Sequence, residues 1–244
     1  MISPDKLSDT QSVAVRVENL AQHFGRFAAL RGVTAEFPSG KLYVILGDNG
    51  AGKTTLLRSI AGLLQPTRGS VTILADNGAA RARAIGYMAH PSLLYDEMSG
   101  MENLRYFAAL YGMYDEARCA ELIKLVGLNP QLTRRVGQYS QGMRQRMSLA
   151  RALVHDPHIL LLDEPFSNVD VISGRSMVRV LAGMRDAGKT VFIVTHQASL
   201  LKNAAAEFVW MQAGQIVRRT SNLADLADYV ADAGTATPNV ETAQ

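Results

Sequence analysis

The sequence predicts an α/β fold: a parallel-sheet core, a small antiparallel β subdomain beside it, and an inserted helical subdomain. Three observations carry this. Leu42-Tyr43-Val44-Ile45-Leu46, Ile159-Leu160-Leu161-Leu162 and Thr190-Val191-Phe192-Ile193-Val194 are continuous apolar runs, as in central parallel strands covered on both faces. Val13, Val15 and Val17 alternate with Ala14, Arg16 and Glu18, and Val33 to Phe37 forms a second such run, the period of half-buried strands. From Ser92 to about His155 the character changes to helices.

Taken in order, a polar leader over residues 1–12 precedes the two alternating runs, with Phe24-Gly25-Arg26 between them. Pro38-Ser39-Gly40 ends the second run, and Leu42–Leu46 follows as the first core strand. Leu56 to Ala61 reads as a helix, Ser70 to Leu74 as a strand closed by Asp76-Asn77-Gly78, and Ile85 to Met88 as another strand. Ser99 with Glu102 three residues on is a capping box that opens a helix through Leu104, Phe107, Ala108 and Tyr111. A further helix over Asp115 to Val126 stops at Gly127, and residues 92 to about 140 read as the helical insertion. After the two later core strands come a hairpin, Phe208–Met211 with Gln215–Val217, and a short helix near Leu223 to Val230. Residues 233–244 hold too little apolar content to fold alone.

The junction after the first core strand carries chemistry. Gly47-Asp48-Asn49-Gly50-Ala51-Gly52-Lys53-Thr54-Thr55 contains G-x-x-x-x-G-K-T between a strand and a helix, the context that a phosphate-binding P-loop requires. Its glycines let backbone N–H groups turn inward, and the following helix adds its positive end. Lys53 is expected to reach the β- and γ-phosphates, the Thr54 hydroxyl to ligate Mg²⁺, and Thr55 to donate to the α-phosphate. The fold class is therefore a P-loop NTPase with a RecA-like core, and ATP with Mg²⁺ is the expected ligand pair.

Composition bounds the alternatives. The 244 residues suit one large domain, and the single Cys119 rules out an intramolecular disulfide or a multi-cysteine metal site; burial as a small hydrophobe is expected for it. No apolar run reaches the roughly 20 residues that span a bilayer, and Met1-Ile2-Ser3-Pro4-Asp5 is too polar to begin a signal peptide. A cytoplasmic protein is expected. A formal charge of +3 with scattered arginines gives no reason to expect a nucleic-acid partner.

Asp163-Glu164 ends the run of four aliphatic residues at 159–162, where adjacent parallel strands open into one crevice. Asp163 is placed to hold the Mg²⁺ shell, and Glu164, one residue on, to accept a proton from the attacking water. His196 ends the next strand in the same way, as a γ-phosphate sensor that also positions the water.

Between the P-loop and Asp163 lies Tyr139-Ser140-Gln141-Gly142-Met143-Arg144-Gln145-Arg146, which resembles the signature of ATP-binding cassette (ABC) ATPases, usually Leu-Ser-Gly-Gly-Gln. Ser167-Asn168-Val169-Asp170 looks like that family's D-loop. The resemblance runs from about Val13 to Arg219 with the motifs in the family's order, and implies an ABC ATPase domain over 13–232. Ser140, Gln141 and Gly142 would contact the γ-phosphate held by another subunit's P-loop. Two ATP would thus be sandwiched between two chains, with Asp170 joining the sites. Phe24 stands where the family has an aromatic residue stacking on adenine. The Q-loop glutamine, a metal and water contact in the family, falls at His90, whose neutral imidazole could meet a metal-bound water.

The resemblance implies the ATPase subunit of a transporter whose membrane subunit is a separate chain, at the inner face of the cell membrane. That subunit would dock in the Met- and aromatic-rich stretch 88–114, although Phe107 and Tyr111 on one helical face are expected to fill the helical core. His90-Pro91-Ser92-Leu93-Leu94-Tyr95 and Asp163-Glu164-Pro165-Phe166-Ser167 are similar to the haem exporter ATP-binding subunit of bacterial cytochrome c maturation. Alternatives are another exporter's ATPase (drug, lipid or polysaccharide) or a soluble ABC ATPase of DNA repair or translation. The latter usually carries a long coiled-coil insertion or a second cassette, and neither is present.

Overall fold

A computed structural model describes residues 12–73 and 78–229. The polar leader up to Gln11, Leu74 and part of the turn after it, Val230 and the 233–244 segment lie outside the described residues.

Two sheets form the frame. The six-stranded sheet runs β5 (Ile85–Met88), β6 (Ile159–Asp163), β7 (Thr190–Val194), β3 (Leu42–Gly47), β8 (Glu207–Gln212) and β9 (Gln215–Thr220). All its pairings are parallel except the final β8–β9 hairpin. Period-two alternation explains why the apolar runs are unbroken. Leu42, Val44 and Leu46 of β3 face one core cluster while Tyr43 and Ile45 face the other, and β6 and β7 divide their residues likewise.

The second sheet is antiparallel, in the order β2 (Phe27–Pro38), β1 (Val13–Phe24) and β4 (Arg68–Ile73). The first two strands are each 12 residues long and meet at Gly25-Arg26, so the second begins six residues before the alternating run read from sequence. Register shifts on both sides of Leu20 and at Gln22/His23, with Asn19 at φ 47°, break the period that marked only the regular part.

The segment between β5 and β6 supplies the helices. In α3 (Gly100–Leu110), the Ser99 backbone N–H donates to Glu102 Oε2 at 2.7 Å and the Glu102 N–H donates to Ser99 Oγ at 3.3 Å, the expected capping box. Fully buried Asn103 ties this turn to its loop, donating to the Tyr95 and Ser99 carbonyls and accepting from the Tyr95 N–H. The helix α4 (Glu116–Leu125) starts at an Asp115 cap, and a 3₁₀ turn (Val136–Gln138) leads into α5 (Gln141–Leu153). Leu104, Ala108, Cys119, Leu122, Ile123 and Met147 pack between these helices.

Among the described residues, three further α-helices remain. In α1 (Lys53–Ile60), Leu56, Leu57 and Ile60 pack into the core beneath the P-loop. The sequence pattern gave no sign of α2 (Gly78–Ala84) or α6 (Val171–Asp186). The closing helical segment begins as a 3₁₀ turn over Leu223–Leu226. Among the described residues, no helix is long and apolar enough to cross a membrane.

Candidate functional site

The strand order brings the C-terminal ends of β6, β7 and β3 side by side. The P-loop follows β3, and Asp163-Glu164 and Thr195-His196 end the other two. A groove of about 330 Å³ opens there, lined by Asn49 to Thr55, Asp163, Glu164, Val194 and His196, with Phe27, Ala29, Arg58 and His90 on its walls.

The loop from Gly47 to Gly52 needs its glycines because it packs against neighbouring backbone. A Cβ on Gly47 would lie 2.0 Å from the Met211 carbonyl oxygen, and one on Gly52 2.5 Å from that of Ala29. Both residues also hold positive φ, 141° and 98°. Lys53 is only 7 % exposed, and its ammonium donates to the Gly47 and Asp48 carbonyls at 2.7 and 2.8 Å. Burial holds its pKa below the ordinary lysine value, opposed by the negative charges of Glu164, Asp48 and Asp163.

In the first turn of α1 the Thr54 hydroxyl donates to Asp163 Oδ1 at 3.1 Å. Asp163 is 2 % exposed, and burial raises its carboxyl pKa against the pull of the Thr54 hydrogen bond and of Arg58, His90 and Lys53. Among the described residues no group of three or more His, Cys, Asp or Glu side chains could hold a metal ion. A divalent cation at Thr54 and Asp163 therefore fits only with oxygens from a bound phosphate and water, the way Mg²⁺ is usually held. His90, exposed on the groove wall, supplies an imidazole to the same side.

Glu164 leaves the strand with φ 53°, its backbone N–H bonded to the Val194 carbonyl at 2.9 Å. That backbone turn aims its carboxylate at His196: Oε1 stands 3.4 Å from Nε2, and Oε2 accepts from the His196 backbone N–H at 3.4 Å. Burial raises the Glu164 pKa, and the neighbouring His196 pulls it back. A carboxylate shifted upward and facing a phosphate cradle suits proton acceptance from water.

The other sequence candidates lie elsewhere. Ser140 caps α5, its hydroxyl accepting from the Met143 N–H at 3.3 Å, and leads with Gln141 and Gly142 onto an exposed helix start outside the groove. Asp170 caps α6 by accepting from the Ser173 N–H at 2.9 Å, which holds its carboxyl below the usual range, and it too stands apart from the groove. Phe24 is half exposed at the β1–β2 turn, off the groove lining; its cross-strand partner Phe27 is the aromatic residue that lines it. Sequence reasoning missed Phe27, and missed Arg58, whose signal was its spacing four residues after Thr54 on one helix face.

A second groove of about 470 Å³ lies where the helical insertion meets the core. Leu63, Tyr87, Leu93, Phe107, Leu110, Tyr111, Arg151 and His155 line it together with Ile85 and three alanines. The Phe107 and Tyr111 side chains thus serve the groove wall as well as the core they were expected to fill. Met88 and Met101 point inward instead, so this groove is walled by leucines and aromatics rather than by methionines. His155 is stacked on Tyr111 at 4.0 Å between ring centroids, with Nε2 at 3.0 Å from the Ile85 carbonyl, and burial lowers its pKa.

Comparison with known proteins gives consistent results. The model of the family described as ABC transporter matches residues 30–167. The ABC transporter ATP-binding protein NatA of Bacillus subtilis (strain 168) is 36 % identical over 199 residues, 78 % of this chain and 81 % of NatA. The lantibiotic transport ATP-binding protein SrtF of Streptococcus pyogenes is 30 % identical over 204 residues, 83 % of this chain and 89 % of SrtF. A solved dimeric ATP-binding cassette in a post-hydrolysis state, bound to ADP and Pi, superposes with a TM-score of 0.76 at 26 % identity, covering 84 % of this chain and 97 % of that one.

Proposed function

Since this chain belongs to the ABC transporter family, as one of its ATPase subunits, we propose that it hydrolyses Mg-ATP as half of a two-chain sandwich and passes the resulting motion to a separate membrane subunit. The observation that carries the reading is the groove in which the P-loop, the Thr54–Asp163 pair and the Glu164–His196 pair converge.

The roles follow from position. The P-loop backbone and Lys53 hold the phosphates, the lysine exchanging its carbonyl partners for phosphate oxygens. Thr54 and Asp163, with His90 near them, hold Mg²⁺, which when bound offsets phosphate charge. Glu164 accepts the proton of the attacking water while His196 keeps the Glu164 carboxylate turned toward the phosphates. Phe27 and Phe24 offer aromatic surface at the mouth of the groove for a nucleobase.

Ser140, Gln141, Gly142 and Asp170 lie outside this groove, on two exposed helix starts. A second copy supplies them to the bound nucleotide, as the dimeric assembly of the solved cassette bound to ADP and Pi supports. ATP then favours closure because its phosphates bind both halves only in the closed state, and hydrolysis removes that preference.

The apolar groove between α3 and the core suits docking of a helix of the integral membrane subunit, and in this reading the chain sits on the cytoplasmic face of the membrane. Of the transported substrates, haem for cytochrome c maturation rests on the resemblance of His90–Tyr95 and Asp163–Ser167 to the haem exporter ATP-binding subunit. The second reading, transport of a peptide antibiotic, is favoured by the likeness to SrtF.

Light scattering of Glu164→Gln with Mg-ATP is the test, a stable dimer being the expected outcome. A strictly monomeric protein would remove the sandwich. Turnover stimulated by a membrane subunit of cytochrome c maturation, and not by a lantibiotic transporter's, would select between the two substrates.

A further inference from the structure

The signature-like segment is bound to the start of α3 at several points. The Val136 and Gly137 N–H groups donate to the Met98 and Asp96 carbonyls at 2.8 and 2.9 Å, and Arg144 Nη1 bonds Asp96 Oδ1 at 2.6 Å. Tyr139 adds a contact that a leucine in its place could not make. Its ring is buried with Arg134 over one face at 5.4 Å, and its hydroxyl lies against Gly100, where a Cβ would stand 2.9 Å from the oxygen. The first N–H groups of a helix have no partner within it. Ser99 satisfies the one at Glu102, and the Tyr139 hydroxyl, 39 residues away along the chain, is packed against the backbone at Gly100.

We propose that Tyr139 is a positioning residue: its hydroxyl, seated on the first turn of α3, fixes the backbone that presents Ser140 and Gly142 and makes it move with the helix that carries Phe107, Leu110 and Tyr111. The inference rests on the sandwich reading above, since Ser140 matters to turnover only if it meets a nucleotide. It adds a specific joint between the partner-docking groove and the phosphate contact, at a position where the signature departs from its usual leucine.

The test compares Glu164→Gln with Glu164→Gln/Tyr139→Phe and Glu164→Gln/Tyr139→Leu by light scattering against Mg-ATP concentration. Loss of the hydroxyl's contact with the Gly100 backbone should raise the ATP needed for half-maximal dimerisation about fivefold in both double variants. Affinity for Mg-ADP, which lacks the γ-phosphate, should stay unchanged. Equal ATP dependence in all three proteins would overturn the role of Tyr139 alone. A matching loss of ADP affinity would reduce it to a structural side chain. Absence of a dimer in Glu164→Gln itself would overturn the sandwich, and the inference with it.

Discussion

The Thr54 hydroxyl donates to the Asp163 carboxylate at 3.1 Å across 109 residues of sequence, locking the first turn of α1 to the end of β6. Under the proposed role the bond would pre-form the protein's side of a cation site, yet it leaves a buried carboxylate whose ionised form burial disfavours. Replacing Asp163 by Asn should therefore weaken Mg²⁺ affinity by about 10–100-fold. It should also raise the melting temperature of the nucleotide-free protein at neutral pH, because the neutral amide avoids the cost of a buried charge. Magnesium titration of ATPase activity and calorimetry read the two effects, and a lowered melting temperature would contradict the electrostatic account.

Glu164 and His196 should be separable by pH. Burial raises the Glu164 pKa and the His196 imidazole lowers it, so His196→Ala removes that part of the opposition and leaves the backbone N–H at 196 and Lys53 to oppose burial. The acid limb of the kcat profile should move to higher pH, with turnover down by about 100-fold or more at neutral pH. An unmoved limb in a His196→Ala enzyme that still turns over would show that the carboxylate is not the titrating group.

The P-loop glycines are not equivalent. Gly47→Ala sets a Cβ 2.0 Å from the Met211 carbonyl, a backbone atom that cannot step aside, and should abolish nucleotide binding or folding. Gly50→Ala meets nothing within 4 Å and bears only the strain of φ 80°, about 1–2 kcal/mol. Expression and denaturant midpoints of the two variants should rank accordingly; equal stability would argue against the close approach of β3 to β8 at Gly47.

Stability should also fall in mild acid through His155. Burial depresses its folded-state pKa below 6.5, so its contribution is present above pH 6.5 and is lost as pH falls through the lowered value. His155→Phe keeps an aromatic ring against Tyr111 and removes the titration. Unfolding free energy between pH 7.5 and 5 should be flatter in that variant than in the parent, even though its absolute stability drops by about 1–2 kcal/mol with the lost Ile85 bond. Parallel pH slopes would refute the assignment.

Short-range patterns made much of the frame legible. The P-loop spacing, the Ser99–Glu102 cap and the unbroken runs of β3, β6 and β7 are local signals whose cause lies within a few residues. The ordering of those runs also carried Asp163, Glu164 and His196 to one crevice, because parallel strands align their ends. What was not legible depended on distant packing. Gly47 is dictated by Met211, the aromatic wall of the groove fell to Phe27 rather than Phe24 through the hairpin's irregular register, and the second groove draws on four separated stretches. Helix α6 hid because its buried positions Gly174, Met177 and Leu181 are sparse among arginines and two glycines.

The sheet sealed on both faces has a consequence for how the protein breathes. Strands β3, β6 and β7 bury every residue but Gly47, so their amides should be among the last to exchange with deuterium, opening only when the whole domain unfolds. The β1–β2 tip, with Phe24 and Phe27 exposed, should exchange orders of magnitude sooner. A nucleotide would thus be gripped at its phosphates by the stiffest part of the molecule and touched at its base by one of the softest, so chemical alterations to the base should be forgiven far more readily than alterations to the phosphate chain.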